Sequence, residues 1–589
     1  MEDKNRLILT IERIILGIHL ILTSSVLSGG IIVLFFGRLE FWPNLLATIL
    51  TSVIIYRVYY NKILQNNIKI NVNYIIITIL ILLLLLGITY LRVHYKMFNC
   101  SADLGWHIYY TFKIKQNYNL TEFSSILLPF QFSTFNYPGV YFFLNLFFPL
   151  NFSLNLIPYI NIMFNFILFI FYSLIGIVIS LITVYIIENF FGQKSLWPFF
   201  AGYIIYLLPD IPSDYILRGN LPDIIGFFYL YSSIYFIIIL LNTSFKNLIK
   251  FSIISTLTSY FIHPYATLYF FIIDLFIFLY LFIKLHTKLF KKILQIDLIM
   301  YSLLIIFEIL ILHPLSPLNV LKVLSTNNWR QYVLYILPIS FQFSYLQLSK
   351  LRLPFDLFLS SSVIFLFTLL PFIKVTYRIK LFKLLLLLYI PYYILYLLPI
   401  VGIQIEPNRF VWRSFDFLPL FLLIIFFMFK FINNIRLISL FSLILTVIYI
   451  FTFLTYSNAI YAPNYELLNT CGNNPEIIYN ITHSLSFLLR FSNHSIVIFA
   501  DQVPYCTYFE LLNLLNPSIK VYPLSSSAIY ILSGNIQTNL RQLYNEYINC
   551  KLFDNYIYIY MKNYDHSSCY NYTIYTNYGL TILVSNRTS

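Results

Sequence analysis

Long apolar runs dominate the first three quarters of the chain. A helix needs about 17–25 mostly apolar residues to cross a bilayer. Thirteen candidate runs, some of them short, occur before residue 457, and they predict an α-helical polytopic membrane protein of about 13 transmembrane helices. The runs are 14–36, 44–60, 70–92, 157–187, 196–208, 222–241, 250–263, 265–284, 293–312, 351–374, 381–400, 411–432 and 437–456.

The pattern changes after residue 456. Residues 1–456 form the predicted transmembrane domain, which includes a long outer loop at 93–156, and residues 457–589 form a predicted extracytoplasmic α/β domain. In the second part, short β-rich runs alternate with helical patterns, as is typical of a small α/β domain. Strands are predicted at 495–500, 519–523 and 556–561, helices at 508–515 and 540–548, and a closing hairpin at 572–585.

Composition supports the membrane assignment. Of 589 residues, 59% are hydrophobic and only 10% are charged, and the mean hydropathy is +0.78. Soluble domains contain roughly 25% charged residues, so this composition excludes a cytosolic enzyme and a disordered protein. Continuous apolar runs also exclude an outer-membrane barrel, in which apolar residues alternate. The formal charge of +14 is spread along the chain, and no nucleic-acid partner is expected.

Basic residues set the predicted orientation. Lys and Arg concentrate in short connections on the cytoplasmic side of a membrane. The clearest basic connections are 284–292 and 374–383, and together with the other short basic connections they place the N-terminus in the cytoplasm. An odd number of spans then places the C-terminal domain outside. The predicted localisation is therefore the cell membrane, with multiple passes.

All five cysteines fall in segments predicted to lie outside. An extracytoplasmic compartment permits disulfides. Four cysteines in the C-terminal domain can form two bridges in three possible connectivities, and Cys100 is left over. These disulfide candidates are Cys471, Cys506, Cys550 and Cys569.

The first long outer loop contains the most informative polar residues. It begins with Asp103-Leu-Gly-Trp-His107 about ten residues beyond a predicted span. If residues 104–115 are helical, Asp103 caps the helix and His107 follows one turn later on the same face. An acid and an imidazole placed together can bind a metal ion or transfer a proton. The alternative is a structural N-cap next to an interfacial histidine.

Other polar residues are predicted to face the same outer cavity. Arg409 would lie at the outer interface, with Arg413 one helical turn deeper, and a planar guanidinium suits a phosphate or pyrophosphate. The alternative is that Arg409 reaches the lipid headgroups while Arg413 pairs with Asp416. Each isolated histidine also has a structural alternative. The remaining cavity candidates are Arg218, Asp223, His263, His313, Arg330 and Glu406.

These motifs resemble those of the GT-C superfamily of polytopic glycosyltransferases. The resemblance rests on Asp103-Leu-Gly-Trp-His107 after an early span, on Tyr137-Pro-Gly139 before an apolar run, and on Arg218-Gly-Asn-Leu-Pro-Asp223. The chain looks most like an archaeal and bacterial branch that includes membrane proteins labelled 6-pyruvoyl-tetrahydropterin synthase-related. Asp103 follows the third predicted span, whereas the equivalent acid follows the first span in many relatives. Because there is no Trp after Trp412, the oligosaccharyltransferase branch, which has a Trp-Trp-Asp motif in its outer domain, does not fit.

The resemblance implies transfer of a hexosyl or pentosyl group from a polyprenyl-phosphate donor on the extracytoplasmic face. Asp103 would act as the base, or as the metal-linked residue that orients the acceptor hydroxyl. His107 would orient Asp103 or help to hold a divalent cation such as Mg²⁺ or Mn²⁺. Arg409, with Arg413 or Arg218, would bind the donor phosphate. The implied partners are the lipid bilayer, the lipid-linked sugar donor, and a glycan, lipid or protein acceptor.

Two other functions remain open from the sequence. One is a transporter or flippase for a lipid-linked glycan, for which internal repeats would be expected and none is found. Asp274, Asp297 and Glu308 lie within or beside predicted spans and could form a proton relay in a transporter. Their spacing does not repeat, and a structural or inner-cavity role is the alternative. The other is a non-enzymatic membrane scaffold whose outer domain binds a surface glycoprotein.

Overall fold

The structure is a computed structural model. Up to residue 263 it describes residues 2–57, 72–94, 102–116, 138–191, 196–207, 216, 219–243 and 245–263. After that it describes residues 482–483, 486, 495–500, 510–515, 520–523, 556–561, 570–577 and 580–587. The six predicted spans after residue 263, the five cysteines and the predicted helix at 540–548 lie outside these residues.

Nine α-helices make up nearly all of the described part before residue 264. The first seven predicted spans coincide with α1, α2, α3, α6, α7, α8 and α9. Two short 3₁₀ helices, Asn145–Phe147 and Leu154–Leu156, lie between α5 and α6. The helices are α1 (Glu2–Phe36), α2 (Phe41–Ile55), α3 (Val72–Val93), α4 (Ala102–Gln116), α5 (Pro138–Leu144), α6 (Ile157–Phe191), α7 (Trp197–Leu207), α8 (Leu221–Thr243) and α9 (Phe245–Ile262).

Three of the described helical segments are long and apolar enough to cross a membrane, and they indicate a membrane protein. They are Arg6–Val33 in α1, Asn73–Val93 in α3, and Leu154–Tyr185, most of which is α6. Shorter apolar helical segments occur at Phe41–Ile55, Pro138–Phe147 and Leu221–Ile237. The longest of the three, with 32 residues, extends about 48 Å at 1.5 Å per residue. This length exceeds the roughly 30 Å of a hydrocarbon core.

Helices α3 and α6 differ sharply in burial. Only 17% of an apolar 18-residue stretch of α3 is buried, whereas 94% of the corresponding stretch of α6 is buried. Large apolar side chains such as Leu80, Leu84 and Leu91 on α3 are exposed. A continuous exposed apolar surface of this kind marks a site of protein or membrane contact. Helix α6 therefore lies at the centre of the bundle, while the outer surface of α3 is suited to lipid.

Close packing fixes α5 against α1 and α9. An added Cβ on Gly29 of α1 would come within 2.7 Å of the Cβ of Phe142, and one on Gly139 would come within 3.0 Å of the backbone of Phe261. Such contacts exclude any side chain larger than hydrogen unless a neighbour moves. Glycine at these positions thus lets α5 approach both helices closely.

A glycine ends α1 and starts the connection to α2. Gly37 has φ 66°, and its N–H donates to the carbonyl of Val33 at 2.9 Å. This is the left-handed C-terminal arrangement that glycine adopts most easily. The following loop is held by Leu39, whose N–H donates to the carbonyl of Ile114 at the end of α4 and whose carbonyl accepts from the Asn145 side chain. The end of α4 is thereby fixed beside the α1–α2 loop.

Most of the described residues after 494 form one five-stranded sheet. Its strands are β1 (Ser495–Ala500), β2 (Lys520–Pro523), β3 (Tyr556–Met561), β4 (Tyr570–Asn577) and β5 (Leu580–Arg587), in the order β2-β1-β3-β5-β4. Strand β1 pairs in parallel with β2 and β3, whereas β5 pairs antiparallel with β3 and β4. The strand positions agree with those predicted from the alternating pattern. Within the predicted helix at 508–515, the structure describes a 3₁₀ helix, Glu510–Leu514.

Candidate histidine and aspartate cluster

Helix α4 contains Asp103 and His107, the first pair of candidate residues predicted from the sequence. It begins at Ala102, so Asp103 lies inside its first turn, and the prediction that Asp103 is the cap residue of a helix at 104–115 needs correction. Four residues later comes His107, and positions four apart share one face of a helix. The predicted spacing of the acid and the imidazole along one helix is therefore present in the backbone.

His107 is buried against α5. Its Nδ1 lies 3.1 Å from the hydroxyl of Tyr141, and its carbonyl accepts a hydrogen bond from Thr111 at 2.7 Å. The ring of Tyr110 lies 5.4 Å from that of Tyr141. Tyr141 belongs to the helix that begins in the Tyr137-Pro-Gly139 motif, so this motif places an aromatic hydroxyl beside the α4 imidazole.

Burial also controls the charge of His107. Removal from water lowers the pKa of His107 to about 3, and the negative charge of Asp223 opposes this shift. Desolvation disfavours the charged imidazolium, so His107 is neutral near pH 7. A neutral imidazole has one donor and one acceptor nitrogen. The residue can thus orient a neighbouring polar group without adding a positive charge.

Asp223 lies at the start of α8, where the local sequence holds it in place. Gly219 has φ 70° and forms the turn before the helix. The side-chain amide of Asn220 donates to Asp223 Oδ2, and the Asp223 N–H is 3.4 Å from Asn220 Oδ1. The contact through Asn220 Oδ1 is that of an N-cap side chain with the third residue of the helix, and the amide adds a bond to the carboxylate. The Gly-Asn-Leu-Pro-Asp segment therefore has a structural role as a helix start.

The other carboxylate oxygen of Asp223 contacts His263. Asp223 Oδ1 and His263 Nε2 are in direct contact, and both side chains are almost fully buried. His263 follows the last residue of α9, and its N–H donates to the carbonyl of Ser259 at 2.7 Å. A buried charge is tolerated when it is paired and hydrogen-bonded. The Asp223–His263 contact therefore joins the start of α8 to the end of α9.

The structure brings together three of the residues predicted to face one cavity. His107, Asp223 and His263 lie at the same end of the helix bundle, and Asp223 is close enough to His107 to influence its charge. Tyr141 and Asn220 join this cluster and were not singled out from the sequence, although both belong to motifs that were. The Asp103 side chain and the residues Arg218, His313, Arg330, Glu406, Arg409 and Arg413 lie outside what the structure describes.

The described side chains do not fit a divalent cation. In the part of the chain that the structure describes, no group of three or more His, Cys, Asp or Glu residues could hold a metal ion. Asp223 already contacts His263 and Asn220 through its two oxygens, and His107 Nδ1 is next to Tyr141. These oxygen and nitrogen atoms are therefore already engaged by protein side chains.

The last turn of α4 connects the cluster to two further segments. The Gln116 side-chain amide donates to the carbonyl of Leu514 at 2.6 Å, in the 3₁₀ helix between β1 and β2. Lys115 donates to the carbonyls of Phe148 and Leu150, and burial lowers the pKa of Lys115 to about 8. Helix α4 thus lies between the helical bundle and a segment of the C-terminal part.

No family model, curated protein or solved structure gives a significant match to the chain.

Proposed function

We propose that the chain is a membrane glycosyltransferase of the GT-C type, which transfers a sugar from a polyprenyl-phosphate donor to an acceptor at the extracytoplasmic face. The observation that carries the proposal is the position of α4. This helix holds Asp103 one turn before His107, and His107 lies beside the buried Asp223–His263 pair. The motifs that resemble those of GT-C enzymes therefore meet at one end of the bundle.

The chemistry assigned to α4 is transfer of a proton from the acceptor. Attack on the anomeric carbon requires the acceptor hydroxyl to lose its proton, and Asp103 is the proposed base. Because His107 is neutral, it can hydrogen-bond to a carboxylate without adding a positive charge that would neutralise it. The leaving phosphate already carries negative charge, and the proposed ligands for it are Arg409, Arg413 and Arg218. No nucleotide site is needed for such a donor.

The second feature that supports the proposal is the contact between α4 and the C-terminal part. Gln116, at the end of the helix that holds Asp103, is hydrogen-bonded to Leu514. An acceptor bound between the helical bundle and residues of the C-terminal part would lie beside α4. A lipid-linked donor would reach the same helix laterally from the bilayer, next to apolar helices such as α3.

The test is sugar transfer by the full chain in proteoliposomes supplied with radiolabelled polyprenyl-phosphate sugars. We expect Asp103→Asn to lower the rate at least a hundred-fold, since general bases typically contribute 10²- to 10⁴-fold. The matched control is Glu40→Gln, because Glu40 is an exposed acid whose contact with Arg38 is at the surface. Surface pairs contribute little to stability, so this control should keep the wild-type rate.

The outcomes separate the proposed functions. Loss of transfer in Asp103→Asn, with a melting temperature equal to that of the wild type, supports the enzyme and its proposed base. Equal rates in the two proteins would exclude Asp103 as the base. If the wild type uses no donor but moves a lipid-linked glycan across the vesicle membrane, the protein is a flippase and not a glycosyltransferase.

A further inference from the structure

The loop between the two 3₁₀ helices contains a motif that the proposed function does not use. It reads Asn151-Phe-Ser153, and Asn-X-Ser with X other than proline is the acceptor motif for N-linked glycans in surface loops outside the cytoplasm. Such triplets also arise by chance. Exposure, backbone geometry and position relative to the membrane therefore decide whether this asparagine can be modified.

Asn151 and Ser153 lie on the surface, whereas Phe152 between them is buried. Both polar residues are exposed, and the ring of Phe152 packs 5.3 Å from that of Phe112 on α4. The backbone at Ser153 is extended, with φ −143° and ψ 152°. In extended backbone, side chains two residues apart lie on the same side. The amide of Asn151 and the hydroxyl of Ser153 are therefore accessible together to an enzyme that recognises both groups.

Contacts on the N-terminal side of the motif hold the loop in place. Lys115, at the end of α4, donates to the carbonyls of Phe148 and Leu150. The ring of Phe148 is buried, and its centroid lies 5.2 Å from that of Phe164 on α6. Asn151 thus belongs to a fixed surface loop beside the end of α4. Because its side chain is exposed, an attached glycan extends into solvent without displacing the packed aromatic rings.

Helices α1 and α8 run in opposite directions. The hydroxyl of Tyr235 on α8 donates to Glu12 of α1, and further along α1 the Nδ1 atom of His19 lies 2.8 Å from Ser232 Oγ. Contacts that advance along α1 therefore move back along α8. It follows that the C-terminal end of α1 lies at the end of the bundle where α8 begins, which is the end that holds Asp223.

The loop that contains Asn151 belongs to the same end of the bundle. The carbonyl of Leu39, just after α1, accepts a hydrogen bond from the side chain of Asn145, at the start of the connection to α6. The Leu39 N–H donates to the carbonyl of Ile114 on α4, next to the Lys115 that holds the loop. The basic connections of the chain predict that this end faces the extracytoplasmic side.

The polar pattern of α6 indicates how far the loop lies from the hydrocarbon core. Between Asn165 and Glu188, residues 166–187 include no Asn, Gln or charged residue, and at 1.5 Å per residue they extend about 33 Å. This length matches a hydrocarbon core of roughly 30 Å. A core placed on this stretch leaves residues 157–165, about 14 Å of helix, between the core and the loop. Asn151 is then within reach of an enzyme that works at the membrane surface.

We propose that Asn151 is a site of N-linked glycosylation at the outer end of the bundle. The modifying enzyme is a separate oligosaccharyltransferase, and the donor is an oligosaccharide linked to a lipid phosphate or pyrophosphate. The amide nitrogen of Asn151 forms a bond to the anomeric carbon, the bond from that carbon to the lipid phosphate oxygen breaks, and one amide proton passes to a base of the transferase. The glycan, which is bulky and solubilising, covers the exposed apolar side chains of Phe147 and Leu150. Modification does not depend on any glycosyltransferase activity of this chain.

A second acceptor motif marks the opposite end of the bundle. Asn242-Thr-Ser244 starts in the last turn of α8. Asn242 follows Asp223 by nineteen residues on this helix, which is about 28 Å at 1.5 Å per residue. An oligosaccharyltransferase acts on one side of a membrane, so Asn242 stays unmodified when Asn151 is modified. The two motifs can therefore be compared within one molecule.

The test is translation of the full chain in sealed microsomes that contain an active oligosaccharyltransferase and its lipid-linked donor. Glycans are then removed enzymatically in water labelled with heavy oxygen, which converts each glycosylated asparagine to labelled aspartate, and mass spectrometry measures the label at each position. We expect label at position 151 and none at position 242. Ser153→Ala should lose the label at position 151, because the motif needs the hydroxyl. Ser153→Thr is the matched control and should keep it.

Three other outcomes would overturn the proposal. Absence of label at position 151, in microsomes that glycosylate an added secretory glycoprotein, would show that Asn151 is not an acceptor. Label at position 242 would place that end of the bundle outside and contradict the proposed side of Asn151. Label at position 151 that persists in Ser153→Ala would show spontaneous deamidation instead of glycosylation. Because Ser153 is exposed, neither substitution should disturb folding, and sugar transfer by the chain itself plays no part in these results.

Discussion

Gly226 and His263 are packed so closely that a single methyl group cannot be placed between them. An added Cβ on Gly226 would come within 2.6 Å of the Cβ of His263 and within 2.9 Å of its Cγ. His263 is therefore held on one side by the backbone of α8 and on the other by the carboxylate of Asp223. The position of this imidazole depends on a glycine that lies outside the Asp223–His263 contact.

This contact predicts the effect of Gly226→Ala. The added methyl group must displace His263 and weaken its contact with Asp223, at a cost of about 1–3 kcal/mol for an overpacked core. Gly30→Ala is the control, since its Cβ would be 3.8 Å from Phe142, which is ordinary contact. Alanine is also favoured over glycine inside a helix. In thermal melts in detergent, only Gly226→Ala should lower the melting temperature, and a melt equal to that of Gly30→Ala would contradict the close packing.

The charge state of His107 predicts a dependence of stability on pH. Burial lowers the pKa of His107 from 6.5 to about 3. Between pH 6.5 and pH 3, His107 is therefore protonated in the unfolded chain but neutral in the folded chain. Stability is then lost as the pH falls below about 6.5, by up to about 1.4 kcal/mol per pH unit. The comparison is the melting temperature of the wild type and of His107→Gln at pH 7, 6 and 5. The gap between the two proteins should change in favour of the variant as the pH falls, and a constant gap would show that His107 is not held neutral.

The start of α8 predicts different effects for two substitutions at Asn220. Asn220→Ala removes both the cap and a hydrogen bond to Asp223, and loss of an N-cap costs about 1 kcal/mol. Asn220→Ser keeps a capping oxygen and should cost less. Amide hydrogen exchange at the first turn of α8 should be accelerated more in Asn220→Ala than in Asn220→Ser. Equal exchange in the two variants would show that the cap does not hold this turn.

Neighbouring leucines on α3 predict which surface of the helix faces lipid. Leu84 is 56% exposed, whereas Leu85 is 1% exposed. Leu85→Ala would leave a cavity inside the bundle and should cost about 2 kcal/mol or more. Leu84→Ala should change the free energy of unfolding by less than about 0.5 kcal/mol, as for other surface substitutions. Reversal of this order in chemical unfolding in micelles would mean that α3 is rotated relative to the bundle.

The positions of the helices could be predicted from the sequence, but their contacts could not. Apolar runs gave the approximate ends of α3, α6 and α8, because the thickness of a bilayer fixes the length of such a run. The rotation of each helix was not predictable, since runs that are apolar all round leave no single buried face. The contact of His19 with Ser232 depends on that rotation, and it appeared only in the structure.

The histidine and aspartate cluster could also be predicted only in part from the sequence. The sequence predicts that His107, Asp223 and His263 face one cavity, because Asp223 and His263 lie at predicted outer span ends and His107 lies in the first outer loop. The structure places them together, and it adds Tyr141 and Asn220. Their roles depend on distances between helices far apart in the sequence, which no local pattern encodes. Asn220 could have been recognised three residues before Asp223, since an N-cap side chain contacts the third residue of the helix.

The hydrogen bond between Gln116 and Leu514 has a consequence for biosynthesis. The two residues are 398 positions apart, and chain synthesis proceeds at about 5–20 residues per second. At these rates, roughly 20–80 s pass between the translation of the two residues. During that interval the last turn of α4 has no Leu514 carbonyl to bind. The Gln116 side chain of the newly made chain must therefore be hydrated or bonded to another group until Leu514 has been translated.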